Sequence, residues 1–168
     1  MKIYSMEVKI VGFKNVYEIY DENEIYLKVK TKGIKFLIDR FIGSICSIGH
    51  KFFIQTTEGT EYITIKKCVG FISEKYDILY KERKIGQIKR IVKSMEPKFI
   101  ILMGEDNYEI NGDVMGENFI INKDHMNIGG ISKKRFKIQD KYNIQILEGK
   151  YEKLMIASVI CIDNSIHN

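Results

Sequence analysis

The stretch LMIASVICI, residues 154–162, decides the fold of this chain. Eight of its nine residues are apolar, and Ser158 is the exception. A helix without a polar face must be buried on all sides. Nine apolar residues are too few to cross a bilayer, which takes about 20, and an interfacial helix would show a charged face. We therefore predict that the segment from about Tyr151 to Asn164 is a helix enclosed by the rest of the protein.

The composition indicates that the enclosing structure is built mainly of β-strands. Ala157 is the single alanine among 168 residues, whereas the chain has ten tyrosines and nine phenylalanines. Aromatic and β-branched side chains suit a pleated sheet, and helix-rich domains are usually rich in alanine. The length suits one domain, 1–168, and the proportions of charged and apolar residues exclude a disordered chain.

A short pattern recurs along the chain and predicts hairpins. The segment Lys51-Phe52-Phe53-Ile54 has related copies at 16–19, 75–78, 98–101, 118–121 and 141–144. Most copies are followed by a polar turn and a second short apolar run, which is typical of a β-hairpin. The runs at 85–88 and 128–131 carry one extra residue between their isoleucines, with glycine beside it, which indicates a β-bulge in each.

Counting these segments gives about 12 strands. Five hairpins supply ten, the N-terminal segment at about 2–11 supplies one, and 142–147 supplies the last. Successive hairpins form an antiparallel sheet, and a sheet this long tends to close. A barrel wider than eight strands leaves a lumen that must be filled. The sequence therefore predicts a closed antiparallel barrel around a central hydrophobic C-terminal helix.

The ordered set of motifs resembles the LURP-one-related family of the tubby C-terminal-like fold. The resemblance covers nearly the whole chain and rests on residues 47–52, 63–67, 75–78, 108–113 and 154–164. It implies a closed 12-stranded barrel around a hydrophobic helix. Tubby proteins bind phosphoinositide headgroups through basic residues, and related scramblase-like proteins act at membranes. None of those headgroup-binding residues is carried over to this chain.

One segment departs from the repeat. Residues 31–46, TKGIKFLIDRFIGSIC, lengthen the first interval, and their apolar residues at 34, 37, 38, 41 and 42 have helical spacing. We expect a short amphipathic helix near 34–42. It either plugs one end of the barrel or faces a membrane or protein partner.

The sequence offers no arrangement of residues typical of catalysis or metal binding. Phosphate-binding and nucleophile motifs are absent, so we expect no enzymatic activity, no metal and no cofactor. Cysteines without disulfide or zinc spacing, and an N-terminus without a secretion signal, favour a cytoplasmic protein. The widely spaced histidines and cysteines are His50, His125, His167, Cys46, Cys68 and Cys161.

The charge distribution gives the main functional hypothesis. In a chain of hairpins the turns lie on one rim and the connections between hairpins on the other. The connections and their flanking strand ends carry a large positive excess, whereas the turns are net negative. The predicted ligand-binding residues of this basic rim are Lys28, Lys30, Lys32, Lys66, Lys67, Lys89, Arg90, Lys133, Lys134 and Arg135.

Three interpretations of the basic rim remain open at this point. It binds anionic phospholipid headgroups or other phosphate-bearing ligands, placing the protein at the periphery of a membrane. It binds nucleic acid, which we consider the weaker choice. Or it is a solvated rim whose charges discourage edge pairing. The alternative function is a scaffold that binds a protein partner through the barrel wall or residues 34–42.

Overall fold

The computed structural model describes residues 1–11, 14–32, 47–69, 74–91, 95–135 and 139–166. Twelve β-strands are followed by a short 3-10 helix at Gly149–Tyr151 and one α-helix, α1, at Glu152–Ile166. The strands are β1 Lys2–Val11, β2 Lys14–Asp21, β3 Glu24–Lys32, β4 Ser47–Thr56, β5 Glu61–Val69, β6 Glu74–Tyr80, β7 Arg83–Ile91, β8 Lys98–Met103, β9 Asp106–Gly112, β10 Asn118–Lys123, β11 Met126–Arg135 and β12 Asp140–Ile146.

The sheet is a closed antiparallel meander, which confirms the predicted barrel and strand number. Each strand pairs with its neighbours in sequence, and β12 closes the barrel against β1. The turns within hairpins, such as 22–23 and 81–82, lie at one end, which we call the hairpin end. The links between hairpins lie at the other, which we call the connector end. The helix expected near 34–42 lies outside the described residues.

Helix α1 fills the barrel as its sequence predicts. It starts at the hairpin end, where β12 finishes, and runs to the connector end. Every residue from Leu154 to Ser165 is buried. Ser158, the polar residue in the apolar stretch, donates a hydrogen bond to the backbone oxygen of Leu154 at 2.8 Å and so needs no other partner. Among the described residues, no helix has the length and apolarity needed to cross a membrane.

Strand β11 passes close to the helix at a glycine. A Cβ atom on Gly129 would meet the backbone oxygen of Gln145 and lie 2.8 Å from Cε of Met155. The next residue, Gly130, has only ordinary clearance, with Phe119 oxygen at 3.4 Å. The missing side chain at Gly129 therefore allows α1 and strand β12 to pack close to β11. Gly130 is not needed for this close packing.

Bulges near the hairpin end turn additional side chains toward the helix. The register skips Ile85 opposite β6 and Ile128 opposite β10, which confirms the two predicted bulges. The register also skips Tyr26 and Tyr62, which the sequence pattern did not indicate. Ile128 is buried, and the other three pack against the core as partly buried residues. The bulges therefore add side chains to the core at the hairpin end, around the start of α1.

Candidate functional site

The ten predicted rim residues divide into three groups, because side chains on a barrel strand alternate between the lumen and the outside. Five lie on the outer wall and three point inward, while for the remaining two the structure describes the backbone strand but not the side chain. The outward group is Lys28, Lys30, Lys66, Lys89 and Lys134; the inward group is Lys67, Arg90 and Lys133; the last two are Lys32 and Arg135.

Two inward cations hold the C-terminal end of α1. Lys67, only 7% exposed, donates from Nζ to Asn164 Oδ1 at 3.0 Å and lies 3.3 Å from Oε1 of Glu74. Arg90 donates to the backbone oxygen and the hydroxyl of Ser165 at 2.7 and 3.0 Å. Cations are favourable near a helix C-terminus, where backbone carbonyls lack partners. These residues therefore stabilise the end of the helix.

The third inward cation belongs to the same buried layer. Nζ of Lys133 lies 2.8 Å from Oδ2 of Asp140 and sits over the ring of Tyr142. Tyr142 in turn donates from its hydroxyl to Oδ1 of buried Asp163 at 2.7 Å. The desolvation of Tyr142 and the neighbouring Asp163 carboxylate raise the pKa of the phenol well above its usual range, so it remains a donor. Charge within this layer is balanced, which leaves the inward cations paired with acids.

A second polar cluster anchors the start of α1 at the hairpin end. Tyr26 and Tyr62 each donate to Oε1 of Glu152 at 2.7 Å, while Tyr4 and Lys2 donate to Oε2 at 2.9 and 3.0 Å. Burial alone would raise the pKa of Glu152, but these hydrogen bonds outweigh it and hold the pKa below its ordinary value. The carboxylate therefore remains charged where the helix dipole favours a negative group.

The outer wall carries a different arrangement, which we call the lysine belt. Six consecutive strands, β3 to β8, each place one outward lysine toward the connector end. Three of these side chains are exposed and three are partly exposed. The belt consists of Lys30, Lys51, Lys66, Lys75, Lys89 and Lys98.

The strand register puts these lysines at nearly one height. Lys51 lies directly opposite Lys66, and Lys75 lies directly opposite Lys89. Between β3 and β4, β5 and β6, and β7 and β8, the second lysine is not directly opposite the first. It lies two residues nearer the connector end than the residue that is. Barrel strands tilt by about 35–45°, so a line of constant height advances roughly one residue per strand. The six lysines therefore form a band perpendicular to the barrel axis, and the band extends around about half of the wall.

The belt is electrostatically unbalanced. Among the described residues, no carboxylate lies within 4.0 Å of a belt lysine, although ten other ion pairs form. Like charges directly opposite on neighbouring strands are destabilising. Lys66 lies opposite Asp77, but that carboxylate pairs with Lys84 at 2.6 Å. Lys28, outside the belt, lies opposite Glu18, whose pKa is lowered mainly by the hydrogen bond from Lys9 and to a smaller extent by Lys28. Like charges also lie opposite each other at Glu7–Glu18 and Lys134–Lys141, but there Glu7, Glu18 and Lys141 form ion pairs. The belt lysines form none with a described carboxylate, so their repulsion is not offset in this way.

Comparison with known proteins places this barrel in a family. A family model described as LURP-one-related matches residues 2–163. The chain belongs to the LURP-one-related family. It is also 24% identical over 163 residues to the Bacillus subtilis (strain 168) protein named uncharacterized protein YxjI, covering 97% of this chain and 93% of that protein. No solved structure shows a significant match.

Three belt lysines of this LURP-one-related chain were missing from the predicted site, although the repeat contains them. In Lys51-Phe52, Lys75-Tyr76 and Lys98-Phe99 the aromatic ring enters the core, so the lysine before it must face outward. By the same alternation Lys66 and Lys89 face outward, whereas their neighbours Lys67 and Arg90 face inward. The positive excess of the rim includes inward and outward residues alike, whereas the alternation of side chains along each strand distinguishes the two.

Other titratable groups form no metal-binding arrangement in the part of this LURP-one-related barrel that the structure describes. His50 and His125 are exposed, and His167 lies outside the described residues. Cys161 is buried in α1, where desolvation raises its thiol pKa well above the ordinary value. Cys68 is partly buried, and Cys46 lies outside the described residues.

Proposed function

We propose that the lysine belt binds anionic phospholipid headgroups and that the protein acts as a non-enzymatic, peripheral membrane-binding barrel. The observation that carries the proposal is a band of six outward lysines at one height, none paired with a described carboxylate. Two pairs of these lysines face each other directly. A ligand rich in phosphate relieves their repulsion, which gives the arrangement a physical use.

The size of the effect suits a peripheral interaction. Each lysine near an anionic membrane surface contributes about 1 kcal/mol. Engagement of only three of the six lysines contributes about 3 kcal/mol, roughly a hundredfold in affinity. Such binding is reversible and weakens as salt screens the charges.

The opposite end of the barrel supports an oriented interaction. Asp21, Glu22, Glu24 and Glu58 lie around one cleft at the hairpin end. An anionic surface repels these carboxylates while it attracts the belt. The barrel's charge distribution therefore favours approach by the connector end, even though its net charge is only +5.

The test is co-sedimentation with vesicles of phosphatidylcholine, with and without phosphatidylserine. The double variant Lys66→Gln/Lys89→Gln should lose roughly tenfold or more in binding to the anionic vesicles. The matched control is Lys81→Gln/Lys150→Gln, which removes the same charge from exposed lysines at the hairpin end.

Three results would contradict the proposal. One is equal binding to neutral and anionic vesicles, and another is an identical loss for the belt and control variants. The third is tighter binding of duplex DNA or single-stranded RNA than of anionic vesicles at matched salt. That outcome would indicate that the ligand of the belt is nucleic acid, for which phosphate contacts also dominate affinity.

A further inference from the structure

Three large apolar side chains protrude at the connector end. Met95 is 96% exposed, Val114 is 70% exposed and Met115 is 66% exposed. Met95 lies in the link between β7 and β8, while Val114 and Met115 lie in the link between β9 and β10. The two links are neighbours, because the backbone N–H of Gly112 donates to the backbone oxygen of Pro97 at 2.8 Å.

The exposure of Val114 and Met115 is imposed by the hydrogen bonds of their loop. Oδ1 of Asp113 accepts from the backbone N–H of Glu117 at 2.8 Å, and its Oδ2 accepts from the side-chain amide of Asn118 at 2.7 Å. The backbone oxygen of Asp113 accepts from the N–H of Gly116 at 2.9 Å. These bonds fold the loop around the carboxylate and leave the two apolar residues at its tip.

The apolar tips lie beyond the lysine belt along the barrel axis. Lys98 is the first residue of β8 and follows the Met95 link by three positions, while Lys75 is the second residue of β6. At about 3.3 Å per strand residue, Lys75 and Lys98 lie within a few ångströms of the rim, whereas Lys66 and Lys51 lie roughly 10 and 13 Å from it along their strands. Near the tips, the carboxylate of Asp113 is turned into its own loop, whereas Glu96 is exposed beside Met95.

We infer that the barrel stands on its connector end at an anionic bilayer, with Met95, Val114 and Met115 inserted at the boundary between headgroups and acyl chains. This inference rests on the proposed function. Apolar side chains bury in that layer while lysines behind them reach the phosphates. The belt's positive charge complements the anionic surface, which identifies a bilayer as the occupant of this apolar tip. Glu96 opposes the contact, so Glu96→Gln should strengthen binding.

A single-tryptophan experiment tests this orientation, because the natural sequence has no tryptophan. We compare Met115→Trp with Met126→Trp, whose parent side chains are both 66% exposed but lie at opposite ends of the barrel. With phosphatidylserine-containing vesicles, emission from position 115 should shift to the blue and be quenched by lipids brominated in the acyl chain. Emission from position 126 should change little. Equal responses at the two positions would overturn the inference.

Parallel sedimentation separates this inference from the proposed function. If vesicles bind the protein but position 115 gives no shift, the insertion is wrong and the belt assignment stands. If the wild type does not sediment with anionic vesicles, both are wrong. As a second readout, Met95→Ser/Met115→Ser should lose roughly five- to tenfold in vesicle partitioning, while Met126→Ser should not. The thermal unfolding midpoint of each variant is measured in parallel, so that a loss of binding is separated from a loss of folding.

Discussion

The substitution Lys89→Gln should raise the stability of the fold and weaken binding to anionic vesicles. Lys89 lies directly opposite Lys75, and both side chains point away from the core. Replacing one of the two charges removes their repulsion in the folded state. The same replacement removes one of the cations proposed to contact phosphate. A residue kept only for folding would not produce this combination of gain and loss.

The magnitudes follow from the strand register. A directly opposed cross-strand pair contributes about 0.2–1 kcal/mol, and like charges act unfavourably. We therefore expect the free energy of unfolding to rise by about 0.5 kcal/mol in Lys89→Gln. Loss of one lysine at an anionic surface weakens binding by about 1 kcal/mol, or roughly fivefold.

The assay combines urea unfolding with vesicle sedimentation for Lys75→Gln, Lys89→Gln and the double variant. After the first substitution has removed the repulsion, the second should add little stability, whereas binding should fall again. Lys150→Gln at the hairpin end serves as the control. A Lys89→Gln protein that is less stable and binds as well as the wild type would refute the reasoning, because the belt would then be an ordinary solvated wall.

Three further predictions concern the helix and its barrel. Gly129→Ala should lower the free energy of unfolding by about 1–3 kcal/mol through overpacking, while Gly130→Ala should be nearly neutral; equal urea midpoints would contradict the close approach at Gly129. Ile160→Ala should cost about 2–5 kcal/mol in urea unfolding, and truncation after Lys153 should leave an insoluble chain, so a soluble, cooperatively melting 1–153 fragment would overturn the core role of α1. Because the folded pKa of Glu152 is depressed, its stabilisation is present above the unfolded pKa and is lost as pH falls through the folded value. Glu152→Gln should therefore be less stable near neutral pH and lose less stability than wild type between about pH 6 and pH 3, and parallel urea midpoints over that range would rule out the charge effect.

The fold was predictable because two signals were strong and independent. A stretch apolar on every helical face requires an enclosure, and repeated hairpins supply one. Even the bulges at Ile85 and Ile128 followed from an extra residue beside glycine. The bulges at Tyr26 and Tyr62 gave no such signal, because their role is to bring phenols to Glu152, a contact between elements far apart in sequence.

The candidate site was predictable only in part. The distribution of charge along the sequence indicated a basic connector end, but it cannot tell an inward lysine from an outward one. Lys67 and Lys133 are buried against acids, since the residues that close the helix end are themselves far away in the chain. The exposure of Met95 and Met115 depends on loop geometry, for which local sequence carries little information.

The position of α1 in the order of elements also governs how the protein is made. The helix follows all 12 strands, so it is the last of these elements to leave the ribosome. Until then the meander lacks the helix that fills its lumen, and β1 has to wait for β12, the last strand, before the barrel can close. Folding of the core therefore follows synthesis of the strands. The nascent sheet exposes its inward aromatic and isoleucine side chains throughout that interval, and exposed apolar surface of this kind is prone to aggregation.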